Sequence, residues 1–119
     1  MRGAFAAPSI RGMTTTIRET EYGTVEDLHS GPELRAWRIH KNDEELEPTA
    51  QVCSRDDLLY VVEGTLRLEL DDGEIVDVHT GGLFVIPAGM HYRGYRWPRD
   101  GAPCTFVAVA RADAEFTHV

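Results

Sequence analysis

The polar residues of this chain that can do chemistry lie in two short segments, each beside an apolar run. In the first segment, Asp57 directly precedes the apolar stretch 58–62. If its carboxylate points inward, it needs hydrogen bonds or a cation to stay ionised, because a buried charge without partners is costly. We therefore predict that Asp57 is a pocket residue. In the alternative, the polar turn 55–57 is solvated, or Asp56 is the carboxylate that points inward.

The second segment contains His91 and Tyr92, and it follows the apolar run 83–86. A tyrosine hydroxyl can donate a hydrogen bond or act as an acid, and an imidazole exchanges a proton near neutral pH. Together with Asp57, these two residues are our candidate catalytic set. Each has a structural alternative, because a tyrosine ring also packs in a core with its hydroxyl at the rim, and a lone histidine in a strand is commonly a surface or core residue.

Two cysteines, Cys53 and Cys104, are read as reduced thiols, because no secretion signal accompanies them. Cys53 can act as a nucleophile or metal ligand, or it can fill the core as a small apolar side chain. Cys104 lies in an apolar stretch with no ionisable neighbour to lower its pKa, so we predict a structural role.

Arginine and tryptophan residues form a second set of candidate ligand contacts. Arg93, Arg96 and Arg99 are interleaved with aromatic residues and can form a rim that binds the carboxylate or phosphate of a small ligand. A solvated basic edge is the alternative. Trp37 and Trp97 can line an apolar pocket, or they can pack in the core or in a dimer interface.

The charge of the chain argues against two classes of partner. Its 119 residues include 12 basic and 20 acidic side chains, for a net charge of -8. This charge repels phosphate backbones and anionic lipid surfaces at long range, so we expect neither a nucleic acid nor a membrane as partner. Lys41 is the one lysine of the sequence, which argues against Schiff-base chemistry. A small-molecule ligand is the expected partner.

The length and the N-terminal sequence predict a single cytoplasmic domain. A chain of 119 residues has the size of one domain. The opening residues lack the apolar region of a signal peptide, and no later run is long enough to span a membrane. A more ordinary polar sequence starts at Met13. We therefore expect residues 1–13 to be a disordered tail and residues 14–119 to be the domain.

Short apolar runs broken by glycine, proline and aspartate predict an all-β fold. Residues 65–70 alternate strictly between apolar and polar side chains, residues 71–73 have the composition of a tight turn, and residues 74–78 are the predicted return strand. Residues 83–86 are predicted to be a strand buried on both faces. Further strands are expected at 34–40, 49–54, 58–62 and 104–110. Many short strands without crossover helices must close into a barrel or jelly roll to hide their edges.

Two motifs in this pattern resemble those of the cupin superfamily. Gly81, Pro87 and Gly89 have the spacing of the second cupin motif, G-x5-P-x-G-x2-H, and Asp57 and Gly64 match the acidic half of the first motif. The hairpin between the motifs has the expected length, and the resemblance covers about residues 34–110. It implies a double-stranded β-helix, which is a jelly-roll barrel.

At the positions of the family's metal ligands, this chain has other residues. The motif spacing places Gln51 and Cys53 at the two histidines of the first motif, Asp57 at its glutamate and Tyr92 at the histidine of the second motif. His91 comes one residue early, and a shift of one residue turns a side chain to the opposite face of a strand unless a bulge intervenes.

These replacements define the expected pocket and its metal status. The pocket residues that the resemblance implies are Gln51, Cys53, Asp57, Tyr92 and Arg93. Amides and phenols are poor ligands for a transition metal, so no tightly bound metal is expected. If a metal is bound, the resemblance implies zinc, iron, manganese or nickel held by Cys53, Asp57 and His91.

The resemblance implies three alternative functions. The first is a metal-free barrel that binds a small apolar or carboxylated molecule, as a binding protein or as an isomerase or cyclase. In the catalytic version, a carboxylate or imidazole removes a proton beside a carbonyl and Tyr92 stabilises the oxyanion. The second is a metal-dependent oxygenase or isomerase, with ligands drawn from Gln51, Cys53, Asp57, His91 and Tyr92. The third is a regulatory module without chemistry, and a homodimer is expected in all three.

Overall fold

The computed structural model describes residues 17–20, 23–42 and 49–118, and in these ranges the chain forms eleven β-strands and no helix. The strands are β1 (Ile17–Thr20), β2 (Gly23–Ser30), β3 (Leu34–Lys41), β4 (Gln51–Cys53), β5 (Asp57–Glu63), β6 (Thr65–Leu70), β7 (Ile75–His79), β8 (Leu83–Ile86), β9 (Tyr92–Arg96), β10 (Cys104–Arg111) and β11 (Phe116–His118). The predicted tail at residues 1–13 lies outside the described residues.

The strands form two antiparallel sheets that face each other. One sheet has six strands in the order β1-β2-β3-β10-β5-β8, and the other has five in the order β11-β4-β9-β6-β7. Strands that are distant in sequence lie side by side in both sheets, as they do in a jelly roll. The predicted all-β double-stranded β-helix is confirmed.

The hairpin of β6 and β7 forms as its alternation predicts. Leu66, Leu68 and Leu70 are buried on the inner face. On the outer face, Arg67 lies opposite Asp77 and donates two hydrogen bonds to its carboxylate, at 2.7 and 2.9 Å. The apolar face of this hairpin forms part of the barrel interior.

Gly64 is the corner at which the chain passes from one sheet to the other, because it is the single residue between β5 and β6. Its φ is +81°, which L side chains rarely adopt. A Cβ at this position would collide with the carbonyl oxygen of Pro103. The corner therefore requires glycine for both its backbone conformation and its space.

The prediction that residues 83–86 are buried on both faces is wrong. Leu83 is 57% exposed and Val85 is 41% exposed, whereas Ile86 is buried. The reason is that the outer face of this antiparallel sheet is exposed, as it also is at Tyr60 and Val62 of the neighbouring β5, so only one face of β8 meets the barrel interior.

Four strands have no counterpart among the strands predicted from the sequence, namely β1, β2, β9 and β11. The first two extend the six-stranded sheet beyond β3, and β11 pairs with β4 at the edge of the other sheet. Within the described ranges, no helix has the length and apolarity that a membrane crossing requires.

Candidate functional site

A cavity of about 530 Å³ lies between the two sheets. Such a volume is in the range of small-molecule sites. Its walls are largely apolar, and its polar side chains come from strand ends. The residues that line it are Arg18, Thr20, Val25, Arg35, Trp37, Ile39, Lys41, Thr49, Gln51, Asp57, Leu59, Leu66, Leu68, Tyr92, Arg93, Gly94, Phe106, Ala108, Phe116 and His118.

Asp57 and Tyr92 meet in this cavity. Asp57 is the first residue of β5 and has only 1% of its surface exposed. The Tyr92 hydroxyl, on β9, donates a hydrogen bond of 2.8 Å to Asp57 Oδ2. The other oxygen, Oδ1, is buried and accepts no hydrogen bond from the described residues. Such an oxygen can accept a proton or a hydrogen bond from a ligand in the cavity.

The surroundings of Asp57 change its acidity. Burial raises the pKa of its carboxyl from 3.8 to about 6, although the hydrogen bond from Tyr92 acts in the opposite direction. The neighbouring Asp56 is exposed, and its Oδ1 accepts a hydrogen bond from the Ala88 backbone N–H at 3.0 Å. The carboxylate that points inward is therefore Asp57, as predicted, and Asp56 stabilises a turn.

Gln51 joins this pair, but Cys53 does not border the cavity. Gln51 lies opposite Tyr92 in the pairing of β4 with β9, and Gln51 is part of the cavity wall. Cys53 is packed in the core with 1% of its surface exposed. Burial raises the pKa of its thiol, which keeps the sulfur protonated and disfavours metal binding. Of its two possible roles, the structure favours the small apolar core residue.

His91 is not in the cavity, and this corrects its place in the candidate catalytic set. Its Nδ1 lies 3.7 Å from Asp71 Oδ2, and its side chain is 45% exposed. The physical reason is the regular register of β6 and β9, which runs from Leu66 opposite Arg96 to Leu70 opposite Tyr92 without a bulge. His91 precedes the strand and cannot turn toward Asp57.

The three arginines between 93 and 99 do not form a rim around the cavity. Arg93 borders the cavity through its strand, but its guanidinium lies on the outer face, with Nη1 3.9 Å from Glu69 Oε1. Arg96 is buried and donates a hydrogen bond of 3.0 Å to the Gly101 carbonyl, and Arg99 lies over the ring of Tyr95. The prediction that Arg93 binds a ligand in the pocket through its side chain is therefore corrected.

The donor atoms at the family's metal positions do not fit a metal ion. Tyr92 uses its hydroxyl proton to bond Asp57, the Cys53 thiol is outside the cavity, and the His91 side chain lies outside the cavity beside Asp71. Among residues 17–20, 23–42 and 49–118, no three His, Cys, Asp or Glu side chains lie close enough to hold a metal. The fallback set of Cys53, Asp57 and His91 is not brought together.

Several cavity residues were not predicted from the sequence. Phe116 packs edge-on against Trp37 with ring centroids 5.4 Å apart, and Arg35 places its guanidinium carbon 4.8 Å from the centroid of the Trp37 ring. Arg35 could have been found, because positions 35, 37 and 39 share one face of the predicted strand. Arg18 and His118 lie on strands that carry no clear alternation.

Comparison with known proteins gives a family match and several similar structures. A family model described as a cupin domain matches residues 37–110. The polyketide cyclase RemF from Streptomyces resistomycificus is 20% identical, with a TM-score of 0.74 over 88% of this chain and 80% of that protein. A search of curated protein sequences found no match.

Two further structures share the fold. An RmlC-like cupin family protein with a double-stranded β-helix fold, from Methanocaldococcus jannaschii, is 18% identical, with a TM-score of 0.66 over 83% of this chain and 89% of that one. A point mutant of the oxalate decarboxylase OxdC from Bacillus subtilis is 14% identical, with a TM-score of 0.74 over 88% of this chain and 30% of that protein. At these identities the similarity shows the fold alone.

Proposed function

Because this chain belongs to the cupin domain family, we propose that its barrel binds a small organic molecule and acts on it by acid–base catalysis, as an isomerase or cyclase. The observation that carries this proposal is the buried carboxylate of Asp57, which has one oxygen bonded to Tyr92 and the other without a partner among the described residues. A general base must present such an oxygen to its substrate.

In the proposed reaction, Asp57 Oδ1 removes a proton from a carbon beside a carbonyl group. The electron pair of the C–H bond forms a C=C bond, the π pair of the carbonyl moves to its oxygen, and the amide N–H of Gln51 donates a hydrogen bond to the resulting oxyanion. Returning the proton to a different carbon gives an isomer. If the enolate instead attacks a second carbonyl of the same molecule, the proton returns to the new alkoxide and a ring is formed.

Tyr92 is the group that sets the geometry of the base. Its hydrogen bond holds Oδ2 and leaves Oδ1 for the substrate. With a pKa of about 6, the Asp57 carboxyl is mostly ionised at neutral pH yet readily exchanges a proton. The sequence assigned oxyanion stabilisation to Tyr92, but the bond to Asp57 makes Gln51 the better donor for that role.

The proposed acid–base chemistry uses side chains and no bound metal. Measurement of the metal content of the protein tests this. Protein purified without a metal-binding tag is incubated with iron, zinc, manganese or nickel, and its metal content is measured by elemental mass spectrometry. We expect far less than one equivalent of each metal, with no difference between the wild type and Asp57→Ala. Near-stoichiometric metal that is lost in Asp57→Ala would overturn the proposal and favour a metal-dependent enzyme.

A homodimer is proposed as the form in which the barrel exists. Tyr60 and Val62 on β5 lie beside Leu83 and Val85 on β8, and all four side chains are more than 40% exposed. Contiguous apolar patches of a few hundred Å² on a protein surface commonly mark interfaces. None of these four residues is Asp, Glu, Lys or Arg, so their side chains add nothing to the repulsion between two chains of net charge -8.

A further inference from the structure

We propose that the ligand of the barrel is a flat aromatic carboxylate, whose carboxylate group binds Arg35 while a proton-donating group at its other end meets Asp57. The inference rests on the proposed function, because Asp57 marks one end of the ligand. It adds the chemical class of the ligand and names Arg35 as the residue that selects it.

Arg35 is a cation placed for an anionic ligand. It is half-buried on the inner face of β3, borders the cavity, and has its guanidinium over the Trp37 ring. In the described part of the chain, Arg35 forms no ion pair with a carboxylate, and its guanidinium makes a cation–π contact with the Trp37 ring. A guanidinium stacked on an aromatic ring keeps its N–H groups in the plane, where they can bind a carboxylate through two parallel hydrogen bonds.

The strand register places Arg35 and Asp57 at the same end of the barrel. Arg35 lies opposite Ala110 on β10, and Leu58 lies opposite Val109. Asp57 is therefore level with Ala110 and, across it, with Arg35. The backbones of Arg35 and Asp57 are two strand spacings apart, which is about 10 Å. Ala108, a small residue on the strand between β3 and β5, lines the cavity together with Arg35 and Asp57, so the two groups face the same cavity.

The space between these groups suits a flat apolar body. Trp37 and Phe116 lie at right angles on one side, and Leu59 and Phe106 contribute further apolar walls. Aromatic side chains favour stacked or edge-on contacts with another ring. We therefore assign the ligand an aromatic or otherwise planar frame.

The other cations of the cavity are placed differently from Arg35. Arg18 forms an ion pair with Asp27, with Nη2 and Oδ1 3.5 Å apart. Lys41 lies six residues farther along β3, which is about 20 Å away in an extended strand. One guanidinium at the Asp57 end matches the single charge of a carboxylate better than the double charge of a phosphate.

Isothermal titration calorimetry with three probes tests this proposal. The probes are 6-hydroxy-2-naphthoate, which has its carboxylate and hydroxyl at opposite ends of two fused rings, the corresponding neutral amide, and 2-naphthoate without the hydroxyl. We expect the wild-type protein to bind the hydroxynaphthoate about tenfold more tightly than the amide. Arg35→Gln should abolish this preference. Arg38→Gln is the matched control, because Arg38 lies on the same strand but pairs with Glu26 on the outer face, and it should keep the preference.

The outcomes separate this inference from the proposed function. A preference for the acid that persists in Arg35→Gln, or that is absent in the wild type, overturns the role of Arg35. Failure of both acids to bind at millimolar concentration overturns the ligand class. The gain in affinity from the hydroxyl group should disappear in Asp57→Ala, which removes the acceptor oxygen, while the preference for the acid remains. If Asp57→Ala leaves the effect of the hydroxyl unchanged, the acid–base site fails and the assignment of Arg35 stands.

Discussion

At the scale of single residues, Asp57 and Asp77 are two carboxylates of the same barrel with opposite surroundings. Burial raises the pKa of the Asp57 carboxyl to about 6. Hydrogen bonds from Arg67 lower the pKa of the Asp77 carboxyl, which lies on the outer face of β7. Folding therefore favours the protonated form of Asp57 and the ionised form of Asp77, and the two residues should respond to pH in opposite ways.

Replacement of Asp57 by asparagine should stabilise the protein at about pH 8. Because the pKa of Asp57 is higher in the folded state than in the unfolded state, its contribution to stability is fully present below about pH 4 and is lost as the pH rises through 6. The neutral asparagine avoids this loss. In urea titrations, we expect the free energy of unfolding to increase by up to about 3 kcal/mol at pH 8 and to be nearly unchanged near pH 4.

Asp77→Asn is the control for this experiment and should destabilise the protein at pH 8. The difference in the free energy of unfolding between Asp77→Asn and the wild type should become smaller as the pH falls through the lowered pKa of Asp77. The reason is that the wild-type carboxylate itself becomes protonated in this range. A loss of stability in Asp57→Asn at pH 8 would show that the Asp57 carboxylate is favourably ionised in the folded protein, contrary to the proposed site.

Of the three catalytic candidates, Asp57 and Tyr92 lie in the cavity, and their sequence signal is local. Asp57 and Tyr92 are separated by fixed spacings from the motif glycines Gly64 and Gly89. The hydrogen bond between them joins β5 of one sheet to β9 of the other, which no local pattern encodes. The His91 side chain could reach the cavity only if a β-bulge shifted the strand by one residue. The pairing of β6 with β9 has no such bulge.

At the scale of elements, the corner at Gly64 holds β5 and β6 in the positions that close the barrel. Gly64→Ala should destabilise the protein by about 3 kcal/mol, because it adds a backbone strain at positive φ and a collision with Pro103. The free energy of unfolding from urea titration measures this change.

Gly73→Ala is the matched comparison for the corner. Gly73 has a similar φ of +87° in the β6–β7 turn, but nothing lies within 4 Å of the position of its Cβ. The cost should be the backbone strain alone, about 1 kcal/mol. Equal losses in the two variants would show that the close approach of Pro103 does not constrain the corner.

The strands were predictable from the sequence where alternation is regular or where turns mark their ends. Residues 65–70 alternate strictly, and the strand formed at those residues. β11 is only three residues long, and β1 is four exposed residues, so neither produces a periodic signal. For residues 83–86, an uninterrupted apolar run did not distinguish a strand buried on both faces from a strand with one exposed face.

At the scale of the whole molecule, the proposed dimer depends on an exposed apolar surface of the six-stranded sheet. The proposed dimer surface consists of Tyr60, Val62, Leu83 and Val85. Val85→Asp places a carboxylate in this surface, and it should convert a dimer into a monomer in light scattering after size-exclusion chromatography.

Ile75→Asp is the control for the dimer surface. Ile75 is 55% exposed, which is close to the exposure of Leu83, but it lies on β7 of the other sheet. This variant should remain dimeric. A wild-type protein that is monomeric at micromolar concentration, or a dimer that is dissociated by Ile75→Asp and not by Val85→Asp, would contradict the proposed surface.

The most direct test of the central claim is the titration of the Asp57 carboxyl carbon by ¹³C nuclear magnetic resonance in the wild-type protein and in Tyr92→Phe. We predict an inflection near pH 6 in the wild type, because burial in the barrel raises the pKa of Asp57. Removing the hydroxyl that bonds Oδ2 should move the inflection to higher pH, because that bond favours the ionised form. An inflection near pH 4 that does not respond to Tyr92→Phe would show a solvated carboxylate and would contradict the acid–base site.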